Sequence, residues 1–106
     1  MIEFEDFKKV DLRIGKIVEA TEVEKSNKLL NLKINIGEEE RQILSGIAQF
    51  YKTEELVGKM VVVVVNLKPR MMMGMESQGM LLAADGEDGP IILIPEKDTA
   101  PGAEIT

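Results

Sequence analysis

The chain has 106 residues, 44% of them hydrophobic and 30% charged, with no cysteine and no histidine. That is the length and composition of one ordinary folded domain, and it excludes disulfides, thiol chemistry, cysteine or histidine metal ligands and a histidine general base. The net charge of -6 argues at first against a polyanionic partner. The first predicted element is a short amphipathic turn or helix over Ile2 to Val10, where Phe4, Phe7 and Val10 recur every three residues. Asp11 to Val23 reads as a long bent strand whose alternation breaks near Gly15 and Lys16, the expected position of a bulge. After the polar turn at Glu24 to Lys28, Leu30, Leu32, Ile34 and Ile36 alternate with Asn31, Lys33 and Asn35. A period of two predicts a strand with one buried and one wet face.

Gly37 to Glu40 is a charged turn, and Arg41 to Ser45 returns as a third strand. Ile47 to Tyr51 suits a helical turn, and Thr53-Glu54-Glu55-Leu56 reads as a helix start with Thr53 as N-cap and Gly58 as terminator. Met60 to Val65 is a β-branched run too short for a helix, hence a buried central strand. Asn66 to Glu76 is expected to be a loop, Ser77 to Ala84 a strand, Asp85 to Pro90 a turn and Ile91 to Ile94 a last short strand. Three antiparallel strands, a short helical connection and further strands predict an all-β domain. An OB-fold, the five-stranded Greek-key barrel, here with short helices and extra C-terminal strand elements, has this order. A generic small β-barrel is the competing architecture.

The Met60 to Val65 run is the longest apolar one and falls far short of the roughly 20 residues of a membrane-spanning helix. The acidic start Met1 to Asp6 has no signal-peptide layout. A cytoplasmic protein without membrane contact is therefore expected. The charge is unevenly spread. Residues 1–70 hold 12 Lys/Arg and 12 Asp/Glu, whereas residues 71–106 hold one lysine against seven acids. A local basic face thus remains available, and local field governs phosphate binding more than total charge does.

Asn27 and Lys28 stand in a turn before a wet strand face, either as a solvated turn or as a phosphate contact supported by Lys33. Asn66-Leu67-Lys68-Pro69-Arg70 leaves the buried strand. Asn66 serves there as a strand terminator, while Pro69 restricts the chain and holds Lys68 and Arg70 outward. Lys28, Lys33, Lys68 and Arg70 can share one rim of a barrel. Met71, Met72, Met73 and Met75 are either packing under a loop or an adaptable contact surface. Ser77-Gln78-Gly79-Met80 opens the next strand. Without histidine Ser77 is no nucleophile, but its hydroxyl suits a phosphate or ribose. The few aromatics, Phe4, Phe7, Phe50 and Tyr51, lie outside the strands, so recognition by shape and charge is favoured over base stacking. No acid pair or metal cluster stands out, and neither metal nor cofactor is expected.

Six strings in order resemble the tRNA-binding domain family, which includes free-standing dimeric tRNA-binding proteins and the C-terminal domain or β subunit of methionyl-tRNA synthetase. They are Asp11-Leu12-Arg13-Ile14-Gly15-Lys16-Ile17, Ser26-Asn27-Lys28-Leu29-Leu30, Arg41-Gln42-Ile43-Leu44-Ser45-Gly46-Ile47-Ala48, Tyr51 to Lys59, Val64 to Arg70, and Glu76 to Ala84. Where many members have His-Pro-Asn-Ala-Asp-Lys-Leu, this chain has Glu24 to Leu29 and keeps only the Lys-Leu end. The resemblance implies a single OB domain over residues 1–106, a homodimer, and non-catalytic tRNA binding that assists a methionyl-tRNA synthetase chain. It raises Ser77, Gln78 and Met80 to RNA contacts beside Asn27, Lys28, Lys33, Asn66, Lys68 and Arg70. Related OB dimers also suggest an alternative, a chaperone-like protein that holds unfolded polypeptide.

Overall fold

A computed structural model describes residues 1–106. Two four-residue helices, α1 (Phe4–Phe7) and α2 (Thr53–Leu56), accompany nine strands. The strands are β1 (Leu12–Glu22), β2 (Leu30–Asn35), β3 (Glu40–Ser45), β4 (Met60–Val64), β5 (Arg70–Met72), β6 (Met75–Ser77), β7 (Met80–Leu81), β8 (Ala83–Gly86) and β9 (Gly89–Ile92). Five of them form an antiparallel sheet in the order β3-β2-β1-β4-β7. The sheet curls until β3 meets β7 and β6, giving the nearly closed barrel of the OB type.

β1 makes the barrel by serving two partners. Leu12 to Lys16 pair with β4, and Lys16 to Glu22 pair with β2. A strand that changes partners must bend, and the register slips between Ile17 and Glu19. The bulge therefore sits at Val18, not at the expected Gly15-Lys16. Gly15 has a different task. A Cβ there would lie 2.4 Å from Ile34 Cγ2, so glycine lets β1 and β2 press together under the bend.

The alternation in β2 fills the barrel as expected. Leu30, Leu32 and Ile34 are almost fully buried and meet Ile17, Ile43, Val61 and Val63. Each such side chain contributes roughly 1.5–3 kcal/mol by leaving water. Leu56 of α2 plugs one end of the barrel. Helix α2 starts one residue earlier than the sequence suggested. Lys52 is the N-cap, and its amide donates to the Glu55 carboxylate at 2.8 Å, while Thr53 is already helical. The threonine hydroxyl is turned to Glu54 instead. Gly58 ends the segment in the left-handed region, with φ of 94°.

Residues 66–76 are not a loop throughout. Strands β5 and β6 form a tight hairpin that turns through Met73 and Gly74, both with positive φ. Likewise the segment read as one strand, residues 77–84, is divided among β6, β7 and β8. The β8–β9 hairpin is held to the barrel by Tyr51, whose hydroxyl donates to the Pro90 carbonyl (3.0 Å) and accepts from the Ile92 amide (3.3 Å). Finally, residues 102–105 lie along the outer edge of β1. The Gly102 amide donates to Ile14, Ile14 donates to Ala103, and Ile105 donates to Leu12.

Candidate nucleic-acid interface

The barrel does not close through a continuous ladder. Between β3 and the β6–β7 corner the seam is built largely from side chains. The Leu44 amide donates to Ser77 Oγ at 3.0 Å, and the Gln42 amide donates to Gln78 Oε1 at 3.0 Å. Arg41 Nη1 bridges the seam from the other side by donating to the carbonyls of Val65 (2.8 Å) and Gln78 (3.0 Å). These contacts fix the backbone of residues 76–80 against β3 and so place the corner carrying Met80.

Beside this seam lies a groove of about 480 Å³. Leu67, Lys68, Arg70 and Met72 line one side. Gly79, Met80 and the Ser45–Gly46 corner contribute the other. Lys68 and Arg70 are exposed, and neither has a carboxylate within 4.0 Å. Met80 is 45% exposed. An apolar floor with two unneutralised cations at its lip suits a phosphate backbone that carries attached sugar surface.

The predicted site residues divide on this geometry. Lys68, Arg70, Ser77 and Met80 come together in the groove. Lys28 reaches the same end of the molecule, because its carbonyl accepts from the Ala48 amide just beyond the Ser45–Gly46 corner. Its ammonium is free of acids, and its neighbour Asn27 is exposed in the turn shaped by Ser26 Oγ, which accepts from the amides of Lys28 and Leu29. Lys33 points from the outer face of β2 and pairs with Glu19 at 3.4 Å. Asn66 stands apart from the groove. Its amide accepts from the Asp11 backbone (2.8 Å) and donates to the Lys9 carbonyl (2.7 Å), which pins the N-terminal segment to the end of β4.

Ser77 and Gln78 are engaged inside the chain. Ser77 is 5% exposed, and its hydroxyl accepts from Leu44 and donates to the Gly79 carbonyl at 3.1 Å. Ser77→Ala is therefore expected to lower folding stability by about 1–3 kcal/mol, since it strands the buried Leu44 amide. Urea unfolding checks this, and an unchanged midpoint would show that the seam does not depend on the hydroxyl. Gln78 Nε2 donates to Glu76.

Met72 is the methionine of the Met71–Met75 run that lines the groove. Arg70 pairs with Ser77 and Met72 with Met75, and directly opposed residues share a face. Recognising a hairpin about Gly74 would have put Met72 on the side of Arg70. The remaining strong ion pair is structural. Arg13 donates to both Asp11 oxygens at 2.9 and 3.1 Å, and this bond raises its pKa above the ordinary arginine value. No three acidic side chains converge as a metal site, and no helix is long and apolar enough to cross a membrane.

A nearly closed OB-type barrel with a cationic groove beside its seam defines a nucleic-acid-binding module. The sequence profile described as "Putative tRNA binding domain" matches residues 12–104, and the chain belongs to that family. It is 53% identical over 104 residues to the methionine–tRNA ligase of Archaeoglobus fulgidus, covering 98% of this chain and 16% of that protein. The chain thus spans about one sixth of the length of the curated ligases it matches. Among solved structures it is similar to a MetRS related protein from Pyrococcus horikoshii, with TM-score 0.93, 36% identity and coverage of 100% and 98% of the two chains. It is also similar to the chaperone CsaA of Bacillus anthracis str. Ames, with TM-score 0.90, 31% identity and coverage of 100% and 99%.

Proposed function

We propose that residues 1–106 act as one non-catalytic domain that grips folded tRNA and serves a methionyl-tRNA synthetase chain. The observation that carries this reading is the groove, where Lys68 and Arg70 stand without acidic partners above Met72 and Met80. Lys68 and Arg70 neutralise phosphates, with Lys28 and Asn27 extending the track at the Ser45–Gly46 end. Met80 packs against ribose or base surface. Ser77 and Gln78 act by holding the corner that presents Met80, and Asn66 acts at one remove by fixing the N-terminal segment. Tethered to an enzyme, such a domain raises the local concentration of tRNA without touching the reacting atoms. The matched family and the similarity to methionine–tRNA ligases support the partner and the substrate. The cytoplasm, where tRNA is charged, is the corresponding location. A gel shift comparing tRNA, duplex RNA and an unfolded polypeptide tests the reading. Selective retention of tRNA is the expected result.

The polypeptide arm matters because a second reading has its own support. Two similar solved structures are CsaA chaperones, at 31% and 32% identity. Preferential capture of unfolded chain over tRNA would favour that function.

The reading includes a symmetric homodimer. Phe4 and Phe7 are 68% and 40% exposed on α1, and Ile91, Leu93 and Ile94 are exposed at the opposite end of the sequence. Apolar surface of this amount commonly marks an interface. Phe7→Glu is expected to turn a dimer into a monomer at micromolar concentration, as read by light scattering. A wild-type monomer with intact tRNA binding would remove dimerisation from the mechanism.

A further inference from the structure

Toward the tip of the β5–β6 hairpin lies a second cleft, about 430 Å³ in volume, between the hairpin tip and the β1–β2 corner. Met73 and Met75 form one side, and Thr21, Glu22, Glu24, Lys25 and Asn31 the other. Its central feature is an amide whose orientation the surrounding hydrogen bonds determine. Gln42 Nε2 donates to the Glu76 carbonyl at 2.9 Å, so Gln42 Oε1 is the acceptor for Asn31 Nδ2 at 3.2 Å. The same Nδ2 also reaches Met75 Sδ at 3.6 Å. With both ends of that relay assigned, Asn31 Oδ1 is left buried and without a donor. A buried acceptor without a partner is rare and costs stability until a donor arrives.

We propose that this cleft takes the amino-bearing edge of one unpaired nucleobase of the bound RNA, an inference that rests on the RNA-binding function above. Asn31 Oδ1 accepts a hydrogen bond from the exocyclic amino group. Glu22 and Glu24 outnumber Lys25 in the lining, so the cleft is net acidic and favours the positive edge of adenine, cytosine or guanine over a phosphate. Uracil has no exocyclic amine and presents two carbonyls to the same acids. The thioethers of Met73 and Met75 are flexible and polarisable, and sulfur packs well against aromatic rings. They supply the ring contact that no aromatic side chain offers here, and they part to admit the base. The positions are consistent with one ligand spanning both sites. Arg70 and Ser77 pair at the groove end of the hairpin, Met72 still lines the groove, and its partner Met75 lines the cleft beside the tip residue Met73. RNA held at Lys68 and Arg70 reaches the cleft by following the ribbon.

The test uses the intact chain and two readouts. First, the four 5′-nucleoside monophosphates and inorganic phosphate are titrated separately while the Met73 and Met75 methyl and Asn31 side-chain amide resonances are followed. Saturable shifts are expected with AMP, CMP and GMP and not with UMP or phosphate. Equal shifts with all four nucleotides, shifts with phosphate alone, or none at all would overturn the proposal. Second, Asn31→Ala is expected to weaken tRNA binding roughly tenfold with an unchanged salt slope, because no phosphate contact is lost. Wild-type binding of tRNA with no effect of Asn31→Ala would sink the cleft and leave the groove standing. Failure of the wild-type chain to bind tRNA would sink both.

Discussion

Replacing Lys68 and Arg70 together by alanine is expected to weaken tRNA binding roughly 100-fold, at about 1.5 kcal/mol for each charge-assisted contact. The expectation follows from what surrounds the two side chains. Both are exposed at the lip of the groove, and neither is held by an acid. Their charge is therefore available to a ligand without first breaking an internal pair. Each neutralised phosphate releases counterions, so the double variant should also reduce the slope of log affinity against log salt by about two. For the wild type, four to six contacts correspond to a slope of about -3 to -5. Stability should move by less than about 0.5 kcal/mol, because no buried contact is lost. Filter binding across a salt series, with thermal unfolding as control, reads all three quantities. Unchanged affinity and slope would move the phosphate track to another face. Arg13 is a suitable comparison, since its pairing with Asp11 predicts no RNA contact.

The second large effect is expected from Gly79→Ala, which should destabilise the fold by about 2–4 kcal/mol. Gly79 has φ of 150°, and a Cβ there would stand 2.7 Å from the Val64 carbonyl and 3.2 Å from Ile43 Cδ1. The Val64 backbone cannot retreat, because Val64 is paired with Met80 in the sheet. Relief must come from shifting the corner itself, and that moves Met80 out of the groove wall. Urea unfolding and tRNA affinity should therefore fall together. Gly46 is the control, since it borders the same groove with nothing within 4 Å of its virtual Cβ. Gly46→Ala should leave both quantities near wild type. A Gly79→Ala protein of normal stability would mean that the seam is looser than its contacts indicate.

Much of the barrel was legible because its signals are local. Leu30, Leu32 and Ile34 alternate over a continuous stretch, and the β-branched run after Met60 can only be a buried strand at that length. The bulge was misplaced because Gly15 marks a close approach between strands, whereas the register slips at Val18, whose side chain gives no sign of it. The β5–β6 hairpin was hidden because one of its two turn residues is Met73, which rarely adopts positive φ, and because four methionines carry no alternation. The cations of the groove were readable from Pro69 and the strand end before it. The tasks of Ser77, Gln78 and Asn66 were not. Each bonds to residues more than 30 positions away, and sequence spacing says nothing about such partners.

The last residues of the domain have a consequence beyond the barrel. Where β1 leaves β2 for β4, the backbone groups of Leu12 and Ile14 on the vacated side would face outward as an open sheet edge, and residues 102–105 occupy that place. An uncovered edge is a template for strands from other molecules. The chain thus supplies its own cover, at the far end of its sequence and through only three backbone bonds. By occupying that edge, residues 102–105 keep the backbone of Leu12 and Ile14 from pairing with strands of other molecules.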